Sequence, residues 1–192
     1  MVYEVTCGRE CDINKSYVFK RFFLQNSSAV NCAIHEHHIL KCIAKKVIKS
    51  PFLGTLYYSF LHEGSPVLIL NQRSEFDLSD VIHNFGPLSE NEVIYYCSEI
   101  ISGIVHIHNM GIVRLDIQKE NVLLSNTGHA IISNFDCAYD LIYNSEPLSL
   151  NDNRGTLYYM APEIARGRCI RFMTDTWGVG AVMACLLADE FR

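Results

Sequence analysis

Two polar residues that could do chemistry stand five positions apart in the segment 111–125: Asp116 and Asn121. Apolar residues lie on both sides of them, which is typical of a loop held between two buried segments. A carboxylate in such a loop can orient an attacking hydroxyl group, and a nearby amide oxygen can help to hold a metal ion. An acid and an amide could serve phosphoryl transfer in this way, but their spacing alone is a weak signal.

Three further motifs follow downstream. Residues 134–136 read Asn-Phe-Asp, residues 155–163 read Gly-Thr-Leu-Tyr-Tyr-Met-Ala-Pro-Glu, and residues 175–180 read Asp-Thr-Trp-Gly-Val-Gly. In this order they resemble the D-F-G, G-T-x-x-Y-x-A-P-E and D-x-W-x-x-G motifs of protein kinases, and residues 111–125 resemble the kinase catalytic loop. Over residues 17–192 the chain is similar to Ser/Thr protein kinases of the AGC type, in particular to members related to the ribosomal S6 kinases.

The apolar pattern predicts elements that could position these motifs. Stretches rich in β-formers predict strands, and a period near 3.6 predicts helices. The predicted strands are Val2–Thr6, 17–24, 55–61, 66–71, Val122–Leu124 and 130–133, and the predicted helices are 28–49, 76–85, Glu90–His108, 161–166 and 174–188. Ser89 and Glu92 form a capping box at the start of the third helix.

Together with the resemblance, this order of elements implies an α+β, bilobal protein-kinase-like fold over residues 1–192. The small β-rich lobe is expected over residues 1–73 and the helical lobe over residues 74–192, with a hinge near 71–75. The family's glycine-rich loop would precede the first strand, and its last helices would follow residue 192. We therefore expect a domain that is truncated at both ends.

The resemblance also implies ATP and Mg²⁺ as cofactors. Lys20 matches the lysine that grips the α/β-phosphates, and Glu36 matches the helix glutamate that pairs with it. Asp116 matches the catalytic acid, and Asn121 matches a metal-binding amide. The remaining implied nucleotide contacts are the adenine faces (Val2, Val18, Leu123), the gatekeeper (Leu70), the hinge (Asn71, Gln72) and the ribose (Asp77). Leu40, Leu56 and Phe135 are expected to stack as an apolar column.

Several positions depart from the family pattern. Leu115 stands where the family has an arginine before the catalytic acid, and Arg114 lies one place earlier. Gln118 stands where the family has the lysine that steadies the γ-phosphate. Asn134 stands where the family has its metal-binding aspartate, and it offers a neutral carbonyl where Mg²⁺ prefers an anionic oxygen. Asp136 replaces the last glycine of that triplet. Asp152 stands where AGC kinases usually carry a phosphorylated residue.

These departures lead to three open hypotheses. The first is a pseudokinase with weak or no phosphoryl transfer, which acts by binding a protein partner and could also bind ATP. The second is an active Ser/Thr kinase that uses Lys20, Glu36, Asp116 and Asn121, with Asn121 or Asp136 holding the metal. The third is a truncated product without an independent role.

Composition excludes other classes. The formal net charge of −5 offers no basic surface for nucleic acid, and no apolar run is long enough to span a membrane. No signal peptide is visible, so a cytoplasmic location is expected. The eight cysteines contain no C-x-x-C pair and are interpreted as free thiols. The run His35-Glu36-His37-His38 is interpreted as a solvated helix face rather than a metal site, since no matching Cys/His cluster is visible elsewhere in the sequence.

Overall fold

The computed structural model describes residues 2–6, 16–23, 27–71, 76–143 and 155–188. Within these residues an antiparallel sheet comes first and helices dominate later, which confirms the predicted α+β class. The strands are Val2–Thr6 (β1), Ser16–Arg21 (β2), Leu56–His62 (β3), Ser65–Leu70 (β4), Ile112–Val113 (β5), Val122–Leu124 (β6), Ala130–Ile132 (β7) and Tyr139–Asp140 (β8). The α-helices are Ser27–Ala44 (α1), Leu78–Phe85 (α2), Glu90–His108 (α3), Pro162–Ala165 (α4) and Met173–Ala188 (α5).

The N-terminal sheet has the strand order β1-β2-β4-β3, and all of its pairs are antiparallel. Strand β2 is a central strand, so each of its paired residues has a register partner on both sides: Lys20 lies opposite Val2 on β1 and Leu68 on β4. β2 ends at Arg21 rather than at residue 24 as predicted, and Leu24 lies outside the described residues. The helix α1 packs against β3 and so covers part of this sheet.

The predicted helix 28–49 is too long, because α1 ends at Ala44. The last buried residues of α1 are Ile39, Leu40 and Ile43. Beyond them Val47 and Ile48 are 99% and 80% exposed, so continuing the helix would bury no further apolar surface. Helices in proteins depend mainly on such burial, and this explains why the apolar spacing of residues 44–49 was misleading.

The remaining helices lie close to their predicted positions. The capping box of α3 forms as predicted, with the backbone N–H of Ser89 donating to Glu92 at 2.8 Å. α2 begins two residues later than predicted, because Asp77 caps its first turn and exchanges hydrogen bonds with Asp80. α4 is one residue shorter at each end, and α5 begins one residue earlier.

One large core connects the sheet, α1 and the later helices. It includes Leu40 of α1, Leu68 of β4, Ile104 of α3 and Phe135, and Leu56 packs against it. The three residues of the predicted apolar column therefore lie in the same core. Packing of this kind fixes α1 relative to the segment around Phe135, and both of these elements carry polar residues toward the candidate site.

All six described cysteines are free, at positions 32, 42, 97, 137, 169 and 185. Among the described residues, no helix is both long enough and apolar enough to cross a membrane.

Candidate active site

Lys20 and Glu36 form an ion pair between the central strand and α1. The Lys20 ammonium donates to both carboxylate oxygens of Glu36, at 2.8 Å and 2.7 Å. Strand β2 presents Lys20 toward α1, and Glu36 lies on the face of α1 that also carries the buried Ala33, Ile39 and Leu40. The pair that the resemblance implies is therefore present in the geometry.

Burial dominates the electrostatics of Glu36, whose side chain is 0% exposed. Desolvation raises the pKa of Glu36 above its usual value, while the charge and hydrogen bond of Lys20 act to lower it. A carboxylate in this position depends on its lysine, because an unpaired buried charge is costly. The Lys20 side chain is 17% exposed, and its ammonium makes a third hydrogen bond, to Oδ1 of Asn134 at 2.8 Å.

Asp116 is buried at the centre of a second group of hydrogen bonds. Its Oδ2 accepts from Nδ2 of Asn121 at 2.7 Å and from Nε2 of Gln118 at 3.0 Å. Its Oδ1 accepts from the backbone N–H of Thr156 at 2.8 Å. Both carboxylate oxygens are thus held by donors, and the amide of Gln118 points at the acid. The sequence did not single out Thr156, because its contact with Asp116 joins residues 40 positions apart.

Asp175 of α5 holds the loop that carries Asp116. Its two carboxylate oxygens accept from the backbone N–H groups of Arg114 and Leu115, each at 2.8 Å, and its Oδ2 lies 2.8 Å from Nε2 of His108. Leu115 needs this support because it has a positive φ of 64°, a conformation that costs a residue with a Cβ atom free energy. The aspartate of the D-x-W-x-x-G motif therefore fixes the conformation of the loop that carries Asp116.

Gly155 lies against the same loop. Its φ is +99°, and a Cβ atom placed on it would come within 2.9 Å of the carbonyl oxygen of Leu115. A side chain would push apart the segment that delivers Thr156 to Asp116. Glycine is needed here both for its backbone conformation and for the close approach.

Asn134 joins the two groups of polar residues. Its Oδ1 accepts from Nζ of Lys20 at 2.8 Å, and its Nδ2 donates to Oδ1 of Asn121 at 3.2 Å. Like Leu115, it has a left-handed backbone, with a φ of 56°. The result is one continuous network that runs Glu36–Lys20–Asn134–Asn121–Asp116.

Arg114 has a role that the sequence did not predict. Its side chain is fully buried, with the guanidinium carbon 5.4 Å from the ring centre of Phe135 and Nη2 donating to the carbonyl of Ser133 at 2.9 Å. Within the described residues its Nε and Nη1 have no hydrogen-bond partner, and neither has the buried Oδ1 of Asp136. A charged residue inside the apolar run before Asp116 was the signal that could have drawn attention to it.

The residues implied to contact the nucleotide are only partly grouped. Val18 lies opposite Leu70 in the sheet, while Val2 is 60% exposed on the edge strand. The carboxylate of Asp77 accepts from the backbone of Asp80, so it is engaged in capping α2.

Among the other residues implied to contact the nucleotide, Leu123 and Asn71 lie in the described part of the chain and Gln72 does not. The backbone of Leu123 is bridged to that of Asp77, and the N–H of Asn71 donates to the carbonyl of Thr55 at 2.9 Å. Gln72 and Asp152 lie outside the described residues, as does the segment between Asn71 and Phe76.

The side chains present suit phosphate better than a divalent cation. Lys20 offers a positive charge, and because its three N–H donors are used by Glu36 and Asn134, a phosphate would replace one of these acceptors. Asn121 and Asn134 offer two neutral amide oxygens, and each already accepts a hydrogen bond. Mg²⁺ is usually held by carboxylates and phosphates. The charge of Lys20 therefore suits a nucleotide phosphate, whereas Asn121 and Asn134 bring no negative charge with which to hold a Mg²⁺ ion.

Comparison with known proteins agrees with this arrangement. Residues 2–191 match the family model for the protein kinase domain. The chain is 31% identical over 174 residues to G protein-coupled receptor kinase 1 of Caenorhabditis elegans, and the match covers 88% of this chain and 26% of that protein. It is 30% identical over 179 residues to ribosomal protein S6 kinase alpha-4 of Mus musculus, covering 92% of this chain and 23% of the relative.

A third relative is ribosomal protein S6 kinase beta of Caenorhabditis elegans, with 33% identity over 146 residues, 74% of this chain and 26% of that protein. These distant relatives are AGC-type Ser/Thr kinases. The matches cover about a quarter of the relatives' length, and nearly all of this chain lies within the family model. The chain belongs to the protein kinase family.

Proposed function

We propose that this chain is a pseudokinase of the AGC type, which binds the phosphates of ATP at Lys20, has weak or no phosphoryl transfer, and acts through binding a protein. One observation carries the proposal. Asn134 stands where the family has its metal-binding aspartate, and its Oδ1 accepts a hydrogen bond from Lys20 at 2.8 Å. An amide bound to an ammonium adds no negative charge with which to hold Mg²⁺.

The surrounding charges support the same conclusion. Phosphoryl transfer is catalysed mainly by positioning and by neutralising the charge on the transferring group. Gln118 replaces the lysine expected beside the γ-phosphate, and its Nε2 donates to Asp116 at 3.0 Å. Leu115 replaces an arginine. The changes at positions 118 and 134 remove a positive charge and a metal ligand that would act in the transition state, so the rate is expected to fall by orders of magnitude.

Protein binding is supported by the family and by the surface. Kinase domains act on protein substrates, so their surfaces are adapted to contact other chains. Here Tyr158, Met173 and Trp177 are exposed and line one surface cavity around α5. Exposed apolar residues grouped in this way are typical of interaction surfaces.

The primary test is the thermal stability of the purified chain with ATP, with and without Mg²⁺. A ligand at about a hundred times its Kd stabilises by about 2.7 kcal/mol, which is readily seen as a rise in the melting temperature. We expect ATP to stabilise the protein to a similar extent in both conditions. A stabilisation that requires Mg²⁺ would contradict the proposal.

A variant that lacks the proposed phosphate-binding lysine provides the control. Lys20→Met alone would leave Glu36 buried and unpaired, so Lys20→Met should be combined with Glu36→Gln to remove both charges. The double variant should keep a cooperative unfolding transition but lose the ATP-dependent stabilisation. If ATP still stabilises it, the phosphates are bound somewhere other than at Lys20.

An active Ser/Thr kinase is the alternative, and two observations favour it. The Lys20–Glu36 pair is formed, and Asp116 is held in the loop position of a catalytic acid. In that case the chain would transfer the γ-phosphoryl group of ATP to a Ser or Thr hydroxyl. Transfer from labelled ATP to a mixed Ser/Thr peptide library, compared with Asp116→Ala, separates the two functions. A rate equal to that of the variant supports a pseudokinase, while a rate far above it establishes a kinase.

A further inference from the structure

Three side chains with metal-binding atoms meet where α1 contacts β8. His38 and Cys42 are four positions apart on α1 and therefore share one face of the helix. Asp140 belongs to β8, about a hundred positions further along the chain. The Nε2 of His38 lies 3.2 Å from Oδ2 of Asp140 and 3.8 Å from Sγ of Cys42, and all three ligand atoms lie within 4.8 Å of one another.

The separations of 3.2 Å and 3.8 Å are close to those between ligand atoms around one tetrahedral zinc ion. Zn–N and Zn–O bonds of about 2.0–2.1 Å and Zn–S bonds of about 2.3 Å place neighbouring donor atoms about 3.3–3.6 Å apart. We propose that Nε2 of His38, Sγ of Cys42 and Oδ2 of Asp140 bind a zinc ion, with the fourth position open to solvent. The thiolate and the carboxylate together balance the two positive charges of the ion.

Asp140 is already oriented for this role. Its Oδ1 accepts from the backbone N–H groups of Ile142 and Tyr143, at 2.9 Å and 3.0 Å. This leaves Oδ2 directed at His38. The ring of Tyr143 packs on that of His38, with centroids 4.4 Å apart, and so restricts the imidazole. Contacts that orient ligands in this way are typical of metal sites in proteins.

The cluster is also accessible. A surface cavity of about 330 Å³ opens beside it, lined in part by His38, Lys41 and Tyr143. The side chain of His38 is 31% exposed, whereas that of Asp140 is 10% exposed. A zinc ion can therefore reach the ligands from solvent while the carboxylate is held from within. The sequence predicted a solvated helix face at residues 35–38, and folding instead places part of this face against β8.

The location gives the ion a structural consequence. α1 also carries Glu36, the partner of Lys20, and β8 comes soon after Asn134 in the chain. A zinc ion bound by both elements would hold α1 against this segment, alongside the contact between the ring of His35 and the carbonyl of Ala138. The site does not depend on whether the chain transfers phosphate, and it can be tested without any assay of activity.

Titration of the metal-free full chain with Co²⁺ tests the site directly. A cysteine ligand produces a thiolate-to-cobalt charge-transfer band, and a tetrahedral site produces intense d–d bands. We expect both for the wild-type chain, with about one Co²⁺ bound per chain and displacement by Zn²⁺. Both should be lost in Cys42→Ser and in His38→Gln.

The other thiols provide matched controls. Cys32 is an exposed cysteine on the same helix, so Cys32→Ser should leave the bands unchanged. The same holds for a Cys7→Ser/Cys11→Ser double variant, which removes the two cysteines outside the described residues. Absence of a charge-transfer band in the wild type, or its survival in Cys42→Ser, would overturn the proposal. Its loss in the Cys7/Cys11 variant would assign the metal to those thiols instead and overturn it equally.

Discussion

Nζ of Lys20 lies 2.8 Å from Oδ1 of Asn134, across 114 positions of sequence. The same ammonium is bound by both oxygens of Glu36. Lys20 therefore bridges α1 and the Asn-Phe-Asp triplet. Asn134 is neutral, so an aspartate at this position would add one negative charge to a network that already holds the carboxylates of Glu36 and Asp116.

Restoring that charge should restore metal dependence. In Asn134→Asp, a carboxylate would lie near Asn121 and could bind Mg²⁺ together with ATP phosphates. We expect ATP to bind at least about tenfold more tightly with Mg²⁺ than without it, equivalent to about 1.4 kcal/mol. Calorimetric titration of ATP in both conditions measures the ratio. The exposed Asn126→Asp adds the same charge elsewhere and should leave the ratio at its wild-type value.

Removing Lys20 should destabilise the fold in a pH-dependent manner. Lys20→Met leaves the Glu36 carboxylate buried and unpaired, at a cost of about 3–5 kcal/mol at neutral pH. Burial already raises the pKa of Glu36 above 4.5, and losing Lys20 would raise it further. The charge-dependent part of the cost is therefore small below pH 4.5, where the group is protonated in both states, and grows as the pH rises.

Urea unfolding of Lys20→Met and wild type across this pH range measures that cost. Glu36→Gln in the same background is the matched control, because it removes the buried charge and should recover most of the loss at neutral pH. A cost that does not change with pH would show that packing of the lysine stem, rather than the unpaired carboxylate, is responsible.

Two glycines with similar backbones should respond differently to alanine. Gly155 and Gly128 have φ values of +99° and +81°, so each Gly→Ala change is expected to cost about 1–2 kcal/mol of backbone strain. Only Gly155 adds a collision, 2.9 Å from the carbonyl of Leu115, while Gly128 has open space around it. We expect Gly155→Ala to lower the free energy of unfolding by at least about 1 kcal/mol more than Gly128→Ala. Equal losses in denaturant unfolding would contradict this role of Gly155.

Asp175 should be a major determinant of stability. Its carboxylate accepts from two buried backbone N–H groups, those of Arg114 and Leu115. Asp175→Ala leaves both donors without an acceptor, at a cost of about 3 kcal/mol or more. Asp175→Asn keeps one accepting oxygen and should lose clearly less. Chemical denaturation of the two variants ranks them, and an equal loss in both would show that the negative charge, which both variants lose, matters more than the accepting oxygen.

Much of this architecture follows from local signals in the sequence. The capping box of Ser89 and Glu92, the order of strands and helices, and the motifs around Asp116 and Asp175 all depend on residues within a few positions of one another. Such patterns identify elements because helix caps and apolar periods act over one or two turns. The order of the motifs, together with the α+β class, also indicates the protein kinase family.

Other features were decided only by packing. α1 ends at Ala44 because the apolar residues after it find no surface to bury against. Arg114 lies buried beside Phe135, although its position in the sequence is simply next to the usual arginine site. Neither result can be obtained from spacing, because burial depends on which elements meet in three dimensions.

The sequence by itself determined which residues are available: a lysine, a glutamate, an acid and two amides in motif order, and a histidine and a cysteine one helical turn apart. The tertiary structure decided which of their atoms meet. It joined Lys20 to Asn134 and brought His38 to Asp140, a pair separated by 102 positions. Hydrogen bonding and metal binding act over a few ångströms, so contacts between distant parts of the chain arise only once α1 packs against the segment that follows Phe135.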